Sequence, residues 1–311
     1  EIQEDRSHFG SSSLACAAPG LRLRPTLTAM DLLDLEHGLK CVASGGNLLN
    51  CQEICGLNAG LTLLRSQEQC AEIFFWGKVF GEKDYYIACC LRTPEFEFPP
   101  KDFYYAGDSY EFRRLELTGD MADRVLALGI EKAFTGNPEE LLEKPTGEEE
   151  PPPAEEEGAE AEAAGPPKLT ELHRLAQVVQ EIDFDTAAVP KGAYALSEAH
   201  VVSPSRDFRG LGLSEAASLA QYVHFRPPAG ISCLRALARS DSQFHAGFLD
   251  PLEADLPKGC WAIRQDPSAS LVTLRSLSWP GYIAFHVPET RKFGGAYFGH
   301  AQRCRELPFL V

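Results

Sequence analysis

The stretch "FFWGKVFGEKDYYIACC", residues 74–90, constrains the fold more than any other part of the sequence. Two apolar runs, "AEIFFWGKVF" and "YYIACCLR", flank "GEKD", whose Gly81 and Asp84 suit a turn, so the pattern predicts a β-hairpin. Strict alternation divides the first strand into two faces, with Ile73, Phe75, Gly77 and Val79 on one and Phe74, Trp76, Lys78 and Phe80 on the other. Because both faces are apolar, we expect this strand to be covered on both sides, by the chain's own core on one side and by something else on the other.

The last part of the chain predicts more strands. The runs "CWAIRQ", "SLVTLRSLSW", "GYIAFHV" and "GGAYFGH" are short, rich in β-branched and aromatic residues, and separated by Pro and Gly turns. Such spacing favours an antiparallel meander.

Helical periodicity dominates elsewhere. Residues 31–39 and 47–70 are predicted to be helical, the second range with breaks near Gly56 and Gly60, and "SYEFRRLEL" alternates like a half-exposed strand. The run "MADRVLALGIEKAF" predicts a helix that ends near Gly136.

Two further helices are predicted in the second half of the chain. "LTELHRLAQVVQEID" carries one apolar stripe and begins near Lys168 or Thr170, and "GLGLSEAASLAQYVHF" has Ser214 placed as its N-cap and Glu215 in its first turn. Helices and strands are segregated along the chain, so we predict an α+β fold with amino-terminal helices, an aromatic hairpin and a carboxy-terminal antiparallel sheet.

An acidic segment at 143–168, "EKPTGEEEPPPAEEEGAEAEAAGPPK", predicts a domain boundary. Eleven glutamates and one lysine lie between residues 139 and 162, and Pro, Gly and like charges cannot bury apolar area. We expect a solvated linker or loop between a lobe at 30–142 and a lobe at 169–311, with 1–29 as an extension of doubtful relevance and Met30 as a plausible start. The segment is either a tether for a basic partner or, as we favour, a variable insertion.

Catalytic patterns are missing from the sequence. It contains no P-loop, no GxSxG and no HExxH, and "GLGLSE" has only part of a dinucleotide fingerprint. No run of eighteen apolar residues exists, which argues against a membrane span. The net charge of −16 speaks against nucleic acid as the main partner.

The cysteines also favour packing over chemistry. Ten cysteines are spread over 311 residues, which predicts reduced thiols rather than a disulfide scaffold. Only Cys51 and Cys55 approach the spacing of paired metal ligands, as CxxxC, but with no second pair at finger spacing we interpret them as small buried apolar residues. Calcium binding by Asp183 and Asp185 lacks the rest of the twelve-residue loop, so we interpret them as part of a helix end.

A thiol–imidazole pair would need Cys89 or Cys90 to meet His224 or His286, and nothing in the sequence brings them together. What remains is aromatic surface mixed with Gly, Pro and Arg, a composition suited both to cores and to interface anchors. We expect about two thirds of these aromatics to fill the core of the chain itself.

Several long motifs resemble the radial spoke head proteins. The hairpin "FFWGKVFGEKDYYIA" is similar to their Trp-Gly-Lys hairpin, and "LPKGCWAIRQ" followed by "LVTLRSLSWPGYIAFHVPETRKFGGAYFG" is similar to their carboxy-terminal sheet. "VPKGAYAL" and "FRGLGLSEAASLAQYVHFRPP" complete a pattern that runs from about Met30 to Val311, the acidic insertion excepted.

The resemblance implies a non-catalytic component of the radial spoke head in the axoneme of motile cilia, without a cofactor or metal. There, spokes carry mechanical signals between the central apparatus and the doublet microtubules to regulate dynein. Its implied partners are the paralogous head proteins four and six, other head and stalk proteins and, transiently, the central apparatus, with no nucleic acid and no membrane. The candidate interface or structural residues are Phe74, Trp76, Tyr85 and Tyr86 in the hairpin and Trp279, Pro280, Gly281 and Tyr282 in the later turn.

Two other classes of function stay open from the residues themselves. One is an acidic binding module or assembly factor for a basic partner. The other is a thiol-dependent enzyme whose site is assembled by residues distant in sequence.

Overall fold

A computed structural model describes residues 35–46, 48–130, 132–142, 168–239, 247–266, 268 and 270–310. Within these residues the helices are α1 (Leu35–Val42), α2 (Cys51–Gln67), α3 (Gly119–Leu128), α4 (Glu171–Thr186), α5 (Leu213–Ala216), α6 (Ile231–Leu237) and α7 (Leu307–Leu310). The strands are β1 (Glu72–Val79), β2 (Tyr85–Leu91), β3 (Lys101–Ala106), β4 (Arg113–Arg114), β5 (Ala188–Pro190), β6 (Tyr194–Leu196), β7 (Val202–Pro204), β8 (Tyr222–His224), β9 (Trp261–Asp266), β10 (Leu271–Ser276), β11 (Tyr282–His286) and β12 (Phe293–Gly299). The predictions for 1–29 and Met30, and nearly all of the acidic segment, lie outside the described residues.

One eight-stranded sheet forms the centre of the fold, in the order β4-β3-β2-β1-β12-β11-β10-β9. The hairpin β1–β2 and the antiparallel meander β9 to β12 are both present, which confirms these predictions and the α+β class. The sequence did not predict that β1 pairs with β12 in parallel, from Gly77↔Tyr297 to Val79↔Gly299. Strands from both sides of the acidic segment therefore share one sheet, and the lobe boundaries at 30–142 and 169–311 stay a prediction.

Each face of the sheet carries its own apolar core. On one face α1 and α2 contribute Leu35, Leu57 and Leu61, which belong to the same buried cluster as Phe75 and Phe298 of the sheet. On the opposite face lie α4 and the short strands β5 to β8, and their side chains form a cluster with Trp76, Tyr85 and Tyr297. The prediction that β1 is covered on both sides is confirmed. The expectation that something other than the chain's own core covers one face is wrong, because side chains of this chain cover both faces.

A β-bulge at Trp76 corrects the predicted alternation of β1. Phe75 pairs with Ala88 and Gly77 with Ile87, so that Trp76 is an extra residue in β1. A bulge shifts every later side chain to the other face. Val79 consequently lies in the same core as Trp76, whereas Lys78 points toward α2, where it reaches Glu53.

Helix α2 is unbroken, so the breaks predicted near Gly56 and Gly60 are wrong. A Cβ atom at Gly56 would lie 2.4 Å from the ring of Tyr110, and one at Gly60 would lie 2.3 Å from the Tyr110 carbonyl oxygen. These glycines allow the segment at Tyr110 to approach the helix, and tertiary packing outweighs their low helix propensity.

Three other boundaries differ from the predictions. Helix α3 ends at Leu128, because Gly129 adopts the left-handed conformation that stops a helix, and it does not extend to Gly136. The predicted helix at "GLGLSEAASLAQYVHF" is only the short α5, with Gly212 as its N-cap and Ser214 inside it, followed by β8. The "SYEFRRLEL" strand is reduced to β4, while the predicted start of α4 near Lys168 or Thr170 is confirmed, with Thr170 as the N-cap.

Candidate functional site: aromatic side chains held by carboxylates

All three tryptophans of the sequence donate their indole N–H to an aspartate. Trp76 Nε1 lies 3.2 Å from Asp183 Oδ1, and Trp279 Nε1 lies 2.9 Å from Asp185 Oδ2. The third, Trp261, donates to Asp255 Oδ2 at 2.7 Å. A buried indole N–H needs an acceptor, and a carboxylate is a strong one. Because Asp183 and Asp185 both lie in the last turn of α4, one helix end holds the aromatic hairpin and the later turn together.

Tyr85 of the hairpin is fixed to the first turn of α4. Its hydroxyl donates to Glu171 Oε1 at 2.8 Å, and this carboxylate is itself only 3% exposed. The backbone amides of Thr135 and Gly136 also donate to Glu171, at 2.8 and 2.9 Å. Burial, reinforced by the neighbouring Glu171 carboxylate, raises the pKa of Tyr85 well above its usual value. Tyr85 therefore stays protonated and keeps its role as a donor.

Tyr86 points to the opposite face of the sheet and is fixed to α2. Its hydroxyl donates to Glu53 Oε1 at 2.7 Å, and Lys78 Nζ lies 2.7 Å from the same oxygen. Glu53 also completes the capping box of α2 with Asn50. Burial acts to raise the pKa of Glu53, but hydrogen bonds from Lys78, the Asn50 amide and Tyr86 outweigh it and hold the pKa below its usual range. Adjacent tyrosines of one strand thus tie the sheet to a helix on each side.

The later turn is built for close packing. Gly281 has φ +110°, and a Cβ atom there would lie 2.2 Å from the carbonyl oxygen of Phe298, so the position requires glycine. The hydroxyl of Tyr282 accepts a hydrogen bond from the Ala188 amide at 3.2 Å. Pro280 is exposed.

The eight candidate residues therefore divide by burial. Trp76, Tyr85, Tyr86, Trp279 and Tyr282 are buried inside the chain, which fits a structural role. Phe74 is half-buried and packs against both cores. A role of any of the eight at a partner interface stays a prediction.

The structure does not bring the considered thiols and imidazoles together. Cys89 and Cys90 are fully buried, and burial is the main cause that raises the pKa of both thiols well above the usual range. His224 pairs with Asp255, and His286 accepts from the Leu211 amide. Buried thiols of raised pKa are poor nucleophiles.

Cys51 and Cys55 are exposed on α2, so their interpretation as buried apolar residues is wrong. The buried positions of this helix are Glu53, Leu57, Gly60, Leu61 and Leu64, which leaves Cys51 and Cys55 facing solvent. Among the described residues no group of three or more His, Cys, Asp or Glu side chains is placed to hold a metal ion. No helix in the described part of the chain has both the length and the apolar character needed to cross a membrane.

The sequence does not predict that carboxylates of α4 bind tryptophans from distant parts of the chain. The sequence predicts that "IDFD" ends a helix, and Asp183 and Asp185 do lie there, but their partners are indoles 107 and 94 residues away in the chain. The available signal was chemical. Tryptophans in apolar surroundings need acceptors, and "IDFD" places two carboxylates beside an apolar stripe.

Comparison with known proteins defines the family. No family model matches the chain. The radial spoke head protein 9 homolog of Danio rerio is 32% identical over 283 residues, which is 91% of this chain and the full length of the relative. The radial spoke head protein 9 homologs of Mus musculus and Homo sapiens are each 31% identical over 284 residues, again 91% of this chain and the whole of each relative.

These full-length matches place the chain in the class of radial spoke head proteins, as its motifs indicated. Within that class, the chain belongs to the radial spoke head protein 9 family.

Proposed function

We propose that this protein is a non-catalytic building block of the radial spoke head in the axoneme of motile cilia. It would help the head to assemble and to pass mechanical signals between the central apparatus and the doublet microtubules, and thereby regulate dynein-driven beating. The observation that carries this proposal is the full-length similarity to radial spoke head protein 9 homologs.

The internal construction of the chain supports a mechanical role. Hydrogen bonds to carboxylates connect the central sheet to α2 on one face and to both ends of α4 on the other. Deformation of the sheet against either helix would break charge-assisted hydrogen bonds in buried surroundings, where such bonds are strong. A part that carries repeated load benefits from such cross-connection.

The partners of the buried titratable groups also support a structural role. The carboxylates of Glu171, Glu53 and Asp183 are occupied by donors from the sheet, and the buried thiols of β2 have no imidazole partner within the part of the chain that the structure describes. The carboxylates thus serve to hold the fold together.

We propose the paralogous head proteins four and six as direct partners, together with other head and stalk proteins.

A rescue experiment in ciliated cells tests the proposal. Cells that lack their own radial spoke head protein 9 would receive the tagged full-length chain, and axonemes would be isolated and salt-extracted. We expect the chain to fractionate with spoke head proteins four and six and to restore regular beating. Absence from axonemes in which those two proteins are present would contradict the proposal.

Two variants separate assembly from chemistry in that experiment. Trp279→Ala removes the indole bonded to Asp185 and should reduce incorporation by unfolding the later turn. Cys89→Ala removes a thiol that no described imidazole contacts and should leave beating unchanged if the protein does not use thiol chemistry. Loss of beating in Cys89→Ala with normal folding and incorporation would favour the thiol-dependent enzyme instead.

A further inference from the structure

Two cysteine side chains contact each other at the edge of the core between the sheet and α2. Cys70 lies in the connection between α2 and β1, and Cys90 lies in β2. The Ala71 amide donates to the carbonyl oxygen of Leu91 at 2.8 Å, so a backbone hydrogen bond joins the residues that follow the two cysteines. Cys70 packs against the buried cluster that contains Cys90, and the two thiols are hydrogen-bonded to each other.

The two thiols differ in their access to solvent. Cys70 is half-buried, whereas Cys90 is fully buried. A dissolved oxidant therefore reaches Cys70 first. When a half-exposed thiol has a second thiol in contact with it, the sulfenic acid formed on the first condenses with the second to give a disulfide.

Cys70 is also the thiol of the pair that ionises more readily. Burial raises the pKa of both thiols, but at Cys70 the hydrogen bond from Cys90 and the positive charge of Arg92 oppose the rise. The carboxylates of Glu68 and Asp102, which pair with Arg92, add to the rise at Cys70. At Cys90 the hydrogen bond between the thiols raises the pKa further. Because the thiolate is the form that reacts with oxidants, Cys70 is attacked first, and the reaction accelerates as pH rises.

We infer that Cys70 and Cys90 form a modification site at which a peroxide introduces a disulfide. The Cys70 thiolate attacks one oxygen of hydrogen peroxide, the O–O bond breaks, hydroxide leaves, and Cys70 becomes a sulfenic acid. The Cys90 sulfur then attacks the Cys70 sulfur, the S–O bond breaks, and the hydroxyl group leaves with the Cys90 proton as water. The two thiols lose two electrons, the peroxide is reduced to two molecules of water, and a soluble dithiol reverses the change.

The new bond would fasten the segment that follows α2 to the central sheet. Residues 70 and 90 are about 20 positions apart, and a disulfide that closes a loop of this length raises the ratio of folded to unfolded protein by about a hundredfold. This effect belongs to the chain alone, so it does not depend on the function proposed above.

Mass spectrometry of the purified full-length chain tests this inference. The reduced protein would be treated with hydrogen peroxide at mildly alkaline pH, its remaining thiols blocked with iodoacetamide, and the chain digested with trypsin without reduction. Trypsin separates Cys70, in peptide 66–78, from Cys90, in peptide 84–92. We expect the main oxidised product to be these two peptides joined with the loss of two hydrogen atoms, and dithiothreitol to release them. The urea midpoint of the oxidised protein should rise and return after reduction.

Variants then identify the two sulfur atoms. Cys70→Ser and Cys90→Ala should each abolish the link and the rise of the urea midpoint. Cys89→Ala is the matched control, because Cys89 shares peptide 84–92 but lies in the core on the other face of the sheet, and the link should persist. Cys55→Ser, which removes an exposed thiol, should also have no effect.

Four results would overturn the inference. Cys70 could become a sulfenic or sulfonic acid without joining Cys90, the link could persist in Cys70→Ser, or links through the exposed Cys51 and Cys55 could dominate. An equal yield of the link in concentrated urea would show that the folded arrangement does not direct it. Circular dichroism would check folding, and Cys70→Ser, which changes a half-buried side chain, keeps the inference testable if Cys90→Ala fails to fold.

Discussion

Removal of the Tyr85 hydroxyl tests whether carboxylates hold the aromatic sheet in place. Tyr85→Phe deletes one oxygen atom and keeps the ring, which packs edge-on against Tyr105 and Phe134. The lost interaction is a 2.8 Å hydrogen bond to a buried carboxylate. Hydrogen bonds to charged groups contribute about 1.5–3 kcal/mol to stability.

The structure places the expected loss at the lower end of that range. Glu171 keeps three other donors, which are the Thr135 amide, the Thr135 hydroxyl and the Gly136 amide, so its charge is not left unpaired. We therefore expect the free energy of unfolding to fall by about 1.5–2 kcal/mol, or roughly tenfold to thirtyfold in the ratio of folded to unfolded protein.

Urea titration followed by tryptophan fluorescence measures this change. The midpoint should move to lower urea while the slope stays constant, because the surface exposed on unfolding is unchanged. Tyr105→Phe is the matched control, since its ring lies in the same core and its hydroxyl makes no hydrogen bond to a described residue. Its effect should stay within about 0.5 kcal/mol. Equal shifts in the two variants would refute the reasoning.

Three further predictions concern pH and backbone packing. Burial lowers the pKa of His286 to about 4, whereas its unfolded pKa is 6.5, so the free energy of unfolding should fall by about 3 kcal/mol as pH drops from 6.5 to 4 and then level off. Urea titrations at each pH measure this slope, and His286→Gln should flatten it. An unchanged slope in the variant would exclude His286 as its source. The pKa of Glu53 is held below 4.5, so the contribution of Glu53 to the free energy of unfolding is complete above that pH and is lost as pH falls through the folded pKa. Glu53→Gln should therefore be less stable than the unchanged protein at pH 7 but lose less stability in acid. Parallel pH profiles of the two proteins would argue against this role of Glu53. Gly77→Ala should destabilise the protein by about 2 kcal/mol or more, because its Cβ would lie 2.3 Å from the Tyr297 carbonyl oxygen. Gly107→Ala is the control and should be neutral, because a Cβ there would have no atom within 4 Å. Similar thermal midpoints for the two variants would contradict the tight β1–β12 pairing.

Local patterns in the sequence predicted the strands well. Apolar runs between Gly and Pro turns identified β1, β2 and β9 to β12, because strand formation there depends on neighbours in the sequence. The start of α4 near Lys168 or Thr170 is predicted for the same reason. The alternation of β1 failed after Phe75, since a bulge depends on the partner strand and leaves no local signal.

Long-range contacts could not be predicted in the same way. The parallel pairing of β1 with β12 joins residues 220 positions apart, such as Gly77 and Tyr297, and no turn sets that register. The breaks expected at Gly56 and Gly60 failed because the space at those glycines is used by Tyr110 from another segment. Asp183 and Asp185 were correctly placed at a helix end, but their tryptophan partners depend on the packing of α4 against the sheet.

Hydrogen–deuterium exchange of the purified chain without any partner tests the central claim most directly. Because Trp76, Tyr85 and Tyr86 donate hydrogen bonds to carboxylates of this chain, we expect the sheet to be complete before assembly. The amides of β1, β2 and β12 should then exchange slowly in the isolated protein, with little change when spoke head proteins four and six are added. Rapid exchange of these three strands alone, with protection appearing only in the complex, would show that partners complete the sheet.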